Sequence, residues 1–520
     1  MHKQSARSPV LNLRQCVIAC ACLAGGLAFA AAPAPQEDTA ITIYSTAQPG
    51  GVPAQYYRPV PGQGVPNAAG VPGYALVRQE REVQLGSGRS QLSFTDVAAL
   101  IDPTTVTFTS LTDPATRVLE QNFQFDLVST DKLLLKFIDQ PLTVERDLPG
   151  GGATTTSGTL LSSVAGLVLR EDGGSITALR NYSALRFPDL PGGLITRPTL
   201  LWDIATERAG THLARVTYQT TGITWWADYN LIFTQGRDAS SGFVDLSPWV
   251  SIINQSGATY PEAKLKLIAG NVNRVQRGLD PTFGTRTLTL VDGRRAVDGA
   301  GFVQQAFDEF HLYTLGRPTT LPNNSTKQIE LFDQARKVPA QRLLVYANST
   351  GNFGGGRFED PNFPFTGESK VDSYLEFRND KPSGLGIPLP AGRIRVSRLD
   401  PADDSLEFIG EDAIDHTPRD EKVRVKLGSA FDVVGERRQV DFRGDSRSRW
   451  IEEEIEVTLR NHKDEEVEVQ VREFLFRWSN WQVLSSSMGY EKEDARTILF
   501  KARVPKDGER TVRYRVRYSW

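Results

Sequence analysis

Cysteine, methionine and histidine are scarce in this sequence. Of 520 residues, 3 are Cys, 2 are Met and 5 are His. Cys16, Cys20 and Cys22 all fall within the first 30 residues. The chain beyond them therefore has no disulfide, no thiol nucleophile and no Cys-ligated metal open to it. A long apolar run is also missing, which argues against a multi-span helical membrane protein. Neither sign of charge dominates. The 59 Lys and Arg against 62 Asp and Glu leave a net charge of −3, with no sign of a nucleic-acid partner. The short catalytic signatures are lacking too: no G-x-S-x-G, no H-E-x-x-H, no Walker loop and no strand-followed G-x-G-x-x-G. No motif implies a cofactor.

What is present supports a large folded body. The 25 Phe, 14 Tyr and 8 Trp can build a core, and the length suits about two to four domains. Residues 1–30 read as a signal peptide. Lys3, Arg7 and Arg14 form a positive start, Cys16 to Ala30 is apolar, and Ala28-Phe29-Ala30 offers a cleavage site. A rival reading is a lipobox at Val17-Ile18-Ala19-Cys20. Cleavage at Ala30 implies an exported, secreted chain in the periplasm or cell envelope. It would carry no cysteine and no transmembrane span.

Composition divides the rest. Residues 31–73 hold eight Pro and six Gly and form a Pro/Gly-rich segment with one short strand candidate, Ile41-Thr42-Ile43-Tyr44. An N-terminal β module is expected at 74–130, a small β module at 131–205 and a β-sandwich region at 206–350. The Gly/Phe-rich stretch 351–370 reads as a loop. From 371 to 520, 57 of 150 residues are charged, against 61 of 340 before it. That doubled density marks a C-terminal Ig-like β-sandwich. The fold class predicted is all-β, with several β modules ending in this charge-rich sandwich. No helical pattern longer than about two turns and no fixed-period repeat is visible.

Period-2 alternation is clearest near the end of the chain. Val512, Tyr514, Val516, Tyr518 and Trp520 share one face, and Arg513, Arg515 and Arg517 share the other. Ile451, Ile455, Val457 and Leu459 oppose Glu452, Glu454 and Glu456. One face of each strand is buried and one is wet. The glutamate and arginine faces are expected to pair across strands. After Val467, Val469 and Val471, the pattern predicts a bulge at Glu473, with Phe474, Phe476 and Trp478 taking over the inner face. The aromatic ending Tyr518-Ser519-Trp520 also raises an outer-membrane barrel, which would need many strands with continuous lipid-facing apolar faces. Three strands end in asparagine, at Asn254, Asn379 and Asn461, each followed by a polar turn. A turn role suits Asn there, because its side chain bonds backbone.

Two stretches carry a family likeness. One runs from Val216 through GITWWADYN (222–230) to Asn254 and KLKLIAG (264–270); the other spans Tyr374–Val434 with FRND, LPAG, IGEDAIDHTP and GSAFDVVGER. Together they resemble an uncharacterised family of exported bacterial proteins defined by a conserved domain of unknown function, with mucoidy-inhibitor-like relatives. The stretch Leu119–Phe137 fits it as well. The resemblance implies an exported, β-rich protein and brings no catalytic residue. This chain departs from those relatives in lacking a coiled-coil insertion and in carrying the Pro/Gly-rich insertion after Tyr44.

Candidate sites are few. On a strand, Trp226, Asp228 and Asn230 share a face, where a ring, a carboxylate and an amide suit a sugar or a partner side chain. The competing reading packs both Trp225 and Trp226 between sheets. Asp412 and His416 would share a strand face and approach a common cation, and Asp400, Asp403 and Asp404 suggest a calcium loop. The competing reading is a solvated edge and an Asp-rich turn. The expected function is a non-catalytic scaffold or binding protein of the bacterial cell envelope, its partner an envelope protein or glycan. The alternative is an envelope polysaccharide hydrolase drawing a carboxylate pair from Asp228, Glu411, Asp412 and Asp415.

Overall fold

A computed structural model describes residues 38–45, 51–58, 67–148, 151–238, 240–270, 302–307, 310–347, 358–361, 367–400, 402–403 and 405–520. The expected signal peptide, the lipobox and Asp404 lie outside the described residues. Residues 37–520 form one compact unit. The fold is all-β, as composition and alternation predict; among the described residues the one α-helix is the two-turn Thr130–Lys136. No described helix is long and apolar enough to cross a membrane.

The strand Asp38–Tyr44 shows how little sequence a central strand needs. Ile41 and Ile43 alternate inward and have no exposed surface. The strand pairs antiparallel with Tyr74–Leu85 on one side and parallel with Tyr260–Ala269 on the other. It thus sits in the middle of an eight-stranded sheet. A three-stranded sheet of Gly88–Thr95, Thr199–Thr206 and Arg117–Gln124 adds Phe94, Leu200, Trp202 and Ile204 to the same core. A five-stranded sheet between Pro141 and Arg186 has its own core, with Leu134 and Phe137 of the helical segment packed into it.

The remaining fourteen strands make one sheet. Its main path runs from Leu406–Ile414 through Gly392–Leu399, Ile223–Gln235, Ser241–Asn254, Ala335–Ala347, Gly367–Arg378, Lys422–Asp445, Trp450–Asn461 and Gly508–Ser519 to Trp481–Ser486. The charge-rich C-terminal strands therefore continue a sheet begun near residue 223. Gly367–Arg378 pairs with Ala335–Ala347, and Val467–Phe474 adds parallel to the same strand.

The three asparagines do the same job three times. Asn254, Asn379 and Asn461 are each fully buried. The Asn254 amide donates to the carbonyls of Ala258, Leu321 and Pro322 at 2.9–3.1 Å. That of Asn461 donates to Glu465, Val504 and Pro505, and that of Asn379 to Ile387 and Pro418. Each side-chain oxygen accepts a turn N–H, from Ser256, Lys463 or Gly386. In every case the proline is followed two residues later by Asn or Asp at positive φ: Asn324 (52°), Asp420 (67°) and Asp507 (46°). The next strand then runs back antiparallel to the Asn-ended one. The same corner thus recurs at three strand ends. Asn-to-Pro separations of 68, 39 and 44 residues hide this repeat from any fixed period.

At the C-terminus the predicted faces hold. Val512, Tyr514, Val516 and Tyr518 are buried and Trp520 packs against the same core. The expected bulge at Glu473 is absent. Val467–Phe474 pairs with Thr497–Val504 without a register shift, and Glu473 keeps its inward place, fully buried. The alternation did not break there because the inward carboxylate has partners: Arg437 donates to it at 2.9 Å and the Tyr514 hydroxyl at 2.7 Å. A buried charge with partners is tolerable; without them it is not.

Candidate functional site

The strand Ile223–Gln235 carries the residues singled out in the sequence. Odd positions from Trp225 to Phe233 enter the cores. Even positions face the other way. Trp226 there meets Ile253, and a short turn at 51–58 covers it. The Tyr57 ring lies 5.4 Å from the Trp226 ring, and the Gln255 side chain donates to the Tyr56 carbonyl. Only 8% of Trp226 stays exposed. One Trp in the core and its neighbour under a loop is what alternation requires, and the loop belongs to the Pro/Gly-rich segment.

Asp228 is next on that face and 3% exposed. Its register neighbours are Trp249 on one side and Arg393 on the other. Both carboxylate oxygens are engaged. Oδ2 accepts from the Ser251 hydroxyl at 2.7 Å. Oδ1 accepts from Arg393 Nη2 at 3.1 Å and lies 3.5 Å from Arg395 Nη1. Arg395 reaches on to Glu411 at 2.9 Å. Burial acts to lower the Arg393 pKa, but Asp228, Tyr57 and Glu411 together hold it above the ordinary guanidinium value. Arg393 and Arg395 were not singled out from sequence, although the alternating Gly-Arg-Ile-Arg-Val places both on one face. Asn230 follows, exposed at the open end of this row and opposite Arg395. Trp226, Asp228 and Asn230 thus share a face, as the alternation predicts. Trp226 is roofed, Asp228 is saturated, and Asn230 is open.

The other candidates are separate. Asp412 accepts from the Lys426 backbone N–H at 2.7 Å, which ties its strand to Lys422–Asp445. His416 lies beyond the strand end at Ile414, and its Nδ1 accepts from the Ala391 N–H at 3.0 Å. Partial burial, then nearby His311, hold His416 below the ordinary imidazole value of 6.5, with Asp415 opposing. Asp400 and Asp403 accept from the N–H groups of Ala402 and Ser405, as turn residues do. Among the described residues no group of three His, Cys, Asp or Glu side chains is placed to hold a metal ion. Of the hydrolase carboxylates, Asp228 and Glu411 meet through two guanidiniums, while Asp412 and Asp415 stand apart from that row.

A second charged cluster went unnoticed in the sequence. Arg477, fully buried, donates to Glu453 at 2.8 Å, to the carbonyls of Phe358 and Asp360, and to Gln439. The Tyr518 hydroxyl completes Glu453 at 2.9 Å. The sequence did hold a signal. Glu453 occupies an inward position between Ile451 and Ile455, where only a partnered charge is tolerable.

The chain matches no protein-family model, no curated protein and no solved structure.

Proposed function

We propose that this protein is an exported, non-catalytic β-sandwich scaffold or binding protein of the bacterial cell envelope, akin to the exported family of unknown function whose stretches it resembles. The observation that carries the reading is the single fourteen-stranded sheet, whose path runs from Leu406–Ile414 to Trp481–Ser486. A continuous sheet holds distant faces in fixed relation, which serves a scaffold and needs no disulfide. The Asp228 row supports positioning over chemistry. Its carboxylate is fully hydrogen-bonded, and two guanidiniums occupy the space between it and Glu411, where a glycosidic bond would have to sit. Asn230, beside this row, is the open position for contact with an envelope protein or glycan.

A photo-crosslinking residue at Asn230 in cells tests the reading. The expected result is a discrete adduct with one envelope protein or glycan, from protein recovered in the envelope or periplasmic fraction. Retention in the cytosol with the first 30 residues intact would overturn the exported part. Release of reducing ends from envelope polysaccharide by the purified protein, abolished by Asp228→Asn, would overturn the non-catalytic part.

A further inference from the structure

Half-buried cations without an acid partner gather at one place beside the large sheet. The sheet's exposed arginines are mostly paired with acids, as in Arg424–Glu376, Arg513–Glu454 and Arg517–Glu452. Arg342, Arg398 and Lys463 are not: among the described residues none of them forms a salt bridge. All three are half-buried. Arg342 Nε donates to the Ser373 hydroxyl at 3.2 Å, and Arg398 Nη2 donates to Gln235 at 2.9 Å. Among the described residues the remaining N–H groups of both guanidiniums have no acceptor.

Arg342 and Arg398 line one cavity of about 130 Å³, with Ser373 and Ser429 beside them and Phe233 at its wall. That is several times the ~30 Å³ a water occupies in the liquid. Two irregularities open it. The pairing of Gly367–Arg378 with Lys422–Asp445 slips between Ser373 and Tyr374, which leaves Leu427 unpaired in that register. The pairing of Gly392–Leu399 with Leu406–Ile414 slips between Val396 and Ser397, which leaves Ile409 unpaired. Both bulged residues line the cavity. β-Bulges re-aim side chains and are common beside functional sites.

We infer that this cavity is a binding site for a single oxyanion, a phosphate, sulfate or carboxylate group, held by Arg342 and Arg398 with Lys463 as an outer charge. Gathering like charges around a partly desolvated cavity is unfavourable unless an anion joins them. The electrostatics agree. Burial, then Arg398, depress the Arg342 pKa, and burial, then Arg342, depress that of Lys463. Glu465 acts against both shifts and Asp432 against that of Lys463, without reversing either. Guanidinium forks suit oxyanions, and the Ser373 hydroxyl, 4% exposed, orients one fork. This site stands apart from the Asp228 row and does not depend on what that row contacts.

The test is calorimetric titration of the purified protein at low ionic strength with inorganic phosphate, sulfate and glucuronate separately. One saturable site is expected for at least one of them. Arg398→Gln should weaken it about tenfold or more, and Lys463→Gln less. Tighter phosphate or sulfate identifies a tetrahedral group, and tighter glucuronate a carboxylate. Arg342→Gln removes the bond to Ser373 and risks misfolding, so Arg398→Gln, checked by circular dichroism, is the deciding variant. A flat titration with all three anions overturns the site, as does unchanged affinity in both Arg398→Gln and Lys463→Gln.

Discussion

Single side chains set two measurable properties. Each corner asparagine satisfies several buried backbone groups at once, and Asn461 reaches four of them. Asn461→Ala strands those groups without partners. Each orphaned buried group costs about 1–3 kcal/mol, so a loss of roughly 3 kcal/mol or more is expected in denaturant unfolding. Asn461→Asp should cost a similar amount, because a carboxylate cannot donate to three carbonyls. Titration supplies the second property. His311 and His416 have folded pKa values below 6.5. Above that pH both states are neutral and nothing is lost. As pH falls through 6.5, the unfolded chain takes up protons first, so stability declines until the folded values are passed. His416 has a direct cause, since a proton on Nδ1 would break its bond from Ala391. Melting temperature should therefore begin to fall as pH drops through 6.5. His416→Asn, which can still accept that bond, should flatten the decline. The carboxylates Asp380, Asp441 and Glu454, held low by hydrogen bonds from Ser383, Arg515 and Arg513 respectively, add their losses only at lower pH.

At the scale of elements, register is what counts. Trp450–Asn461 and Gly508–Ser519 pair so that Glu452 faces Arg517, Glu454 faces Arg515 and Glu456 faces Arg513. Arg515 is the hub, with Glu454, Glu452 and Asp441 all within ion-pair distance. Cross-strand pairs of this kind contribute roughly 0.2–1 kcal/mol each. Arg515→Glu converts attraction to repulsion at three carboxylates. Its melting temperature should drop, and drop further in low salt than in high salt. Equal loss at both salt concentrations would mean that packing and not charge is at stake. The facing of these strands was legible because alternation is local. The missing bulge at Glu473 was not, because whether an inward glutamate is tolerated depends on Arg437, 36 residues away, and Tyr514, 41 residues away.

At the scale of the whole molecule, the C-terminal strands are bound to the rest by backbone pairing and by buried charges, Asp228 and Arg477 among them. Ala335–Ala347 pairs with Ser241–Asn254 and with Gly367–Arg378, and Arg477 holds the carbonyls of Phe358 and Asp360 from among the C-terminal strands. Residues 371–520 expressed alone would expose a sheet edge and lose these ties. They are expected to aggregate or to melt well below the intact protein. Arg477→Met leaves Glu453 buried without its cation, at a cost of about 3–5 kcal/mol. Adding Glu453→Leu should recover most of that loss. A double variant no better than the single one would show that the carbonyl contacts, and not the ion pair, carry the effect.

Composition and two-residue alternation alone determined that the protein is all-β, which faces of the C-terminal strands turn inward, and that asparagines end three of its strands. These are properties of neighbouring residues, and a pleated strand reports them directly. The tertiary structure decided the rest. It placed Asp38–Tyr44 at the centre of a sheet, set the Pro/Gly-rich turn over Trp226, surrounded Asp228 with arginines, and matched each asparagine to a proline 39 to 68 residues later. Partnership across such distances is set by how sheets pack and chains return. The same is true of the three cations around the bulged cavity, unpaired among the described residues, since no local pattern records which charges will end up without a counter-charge.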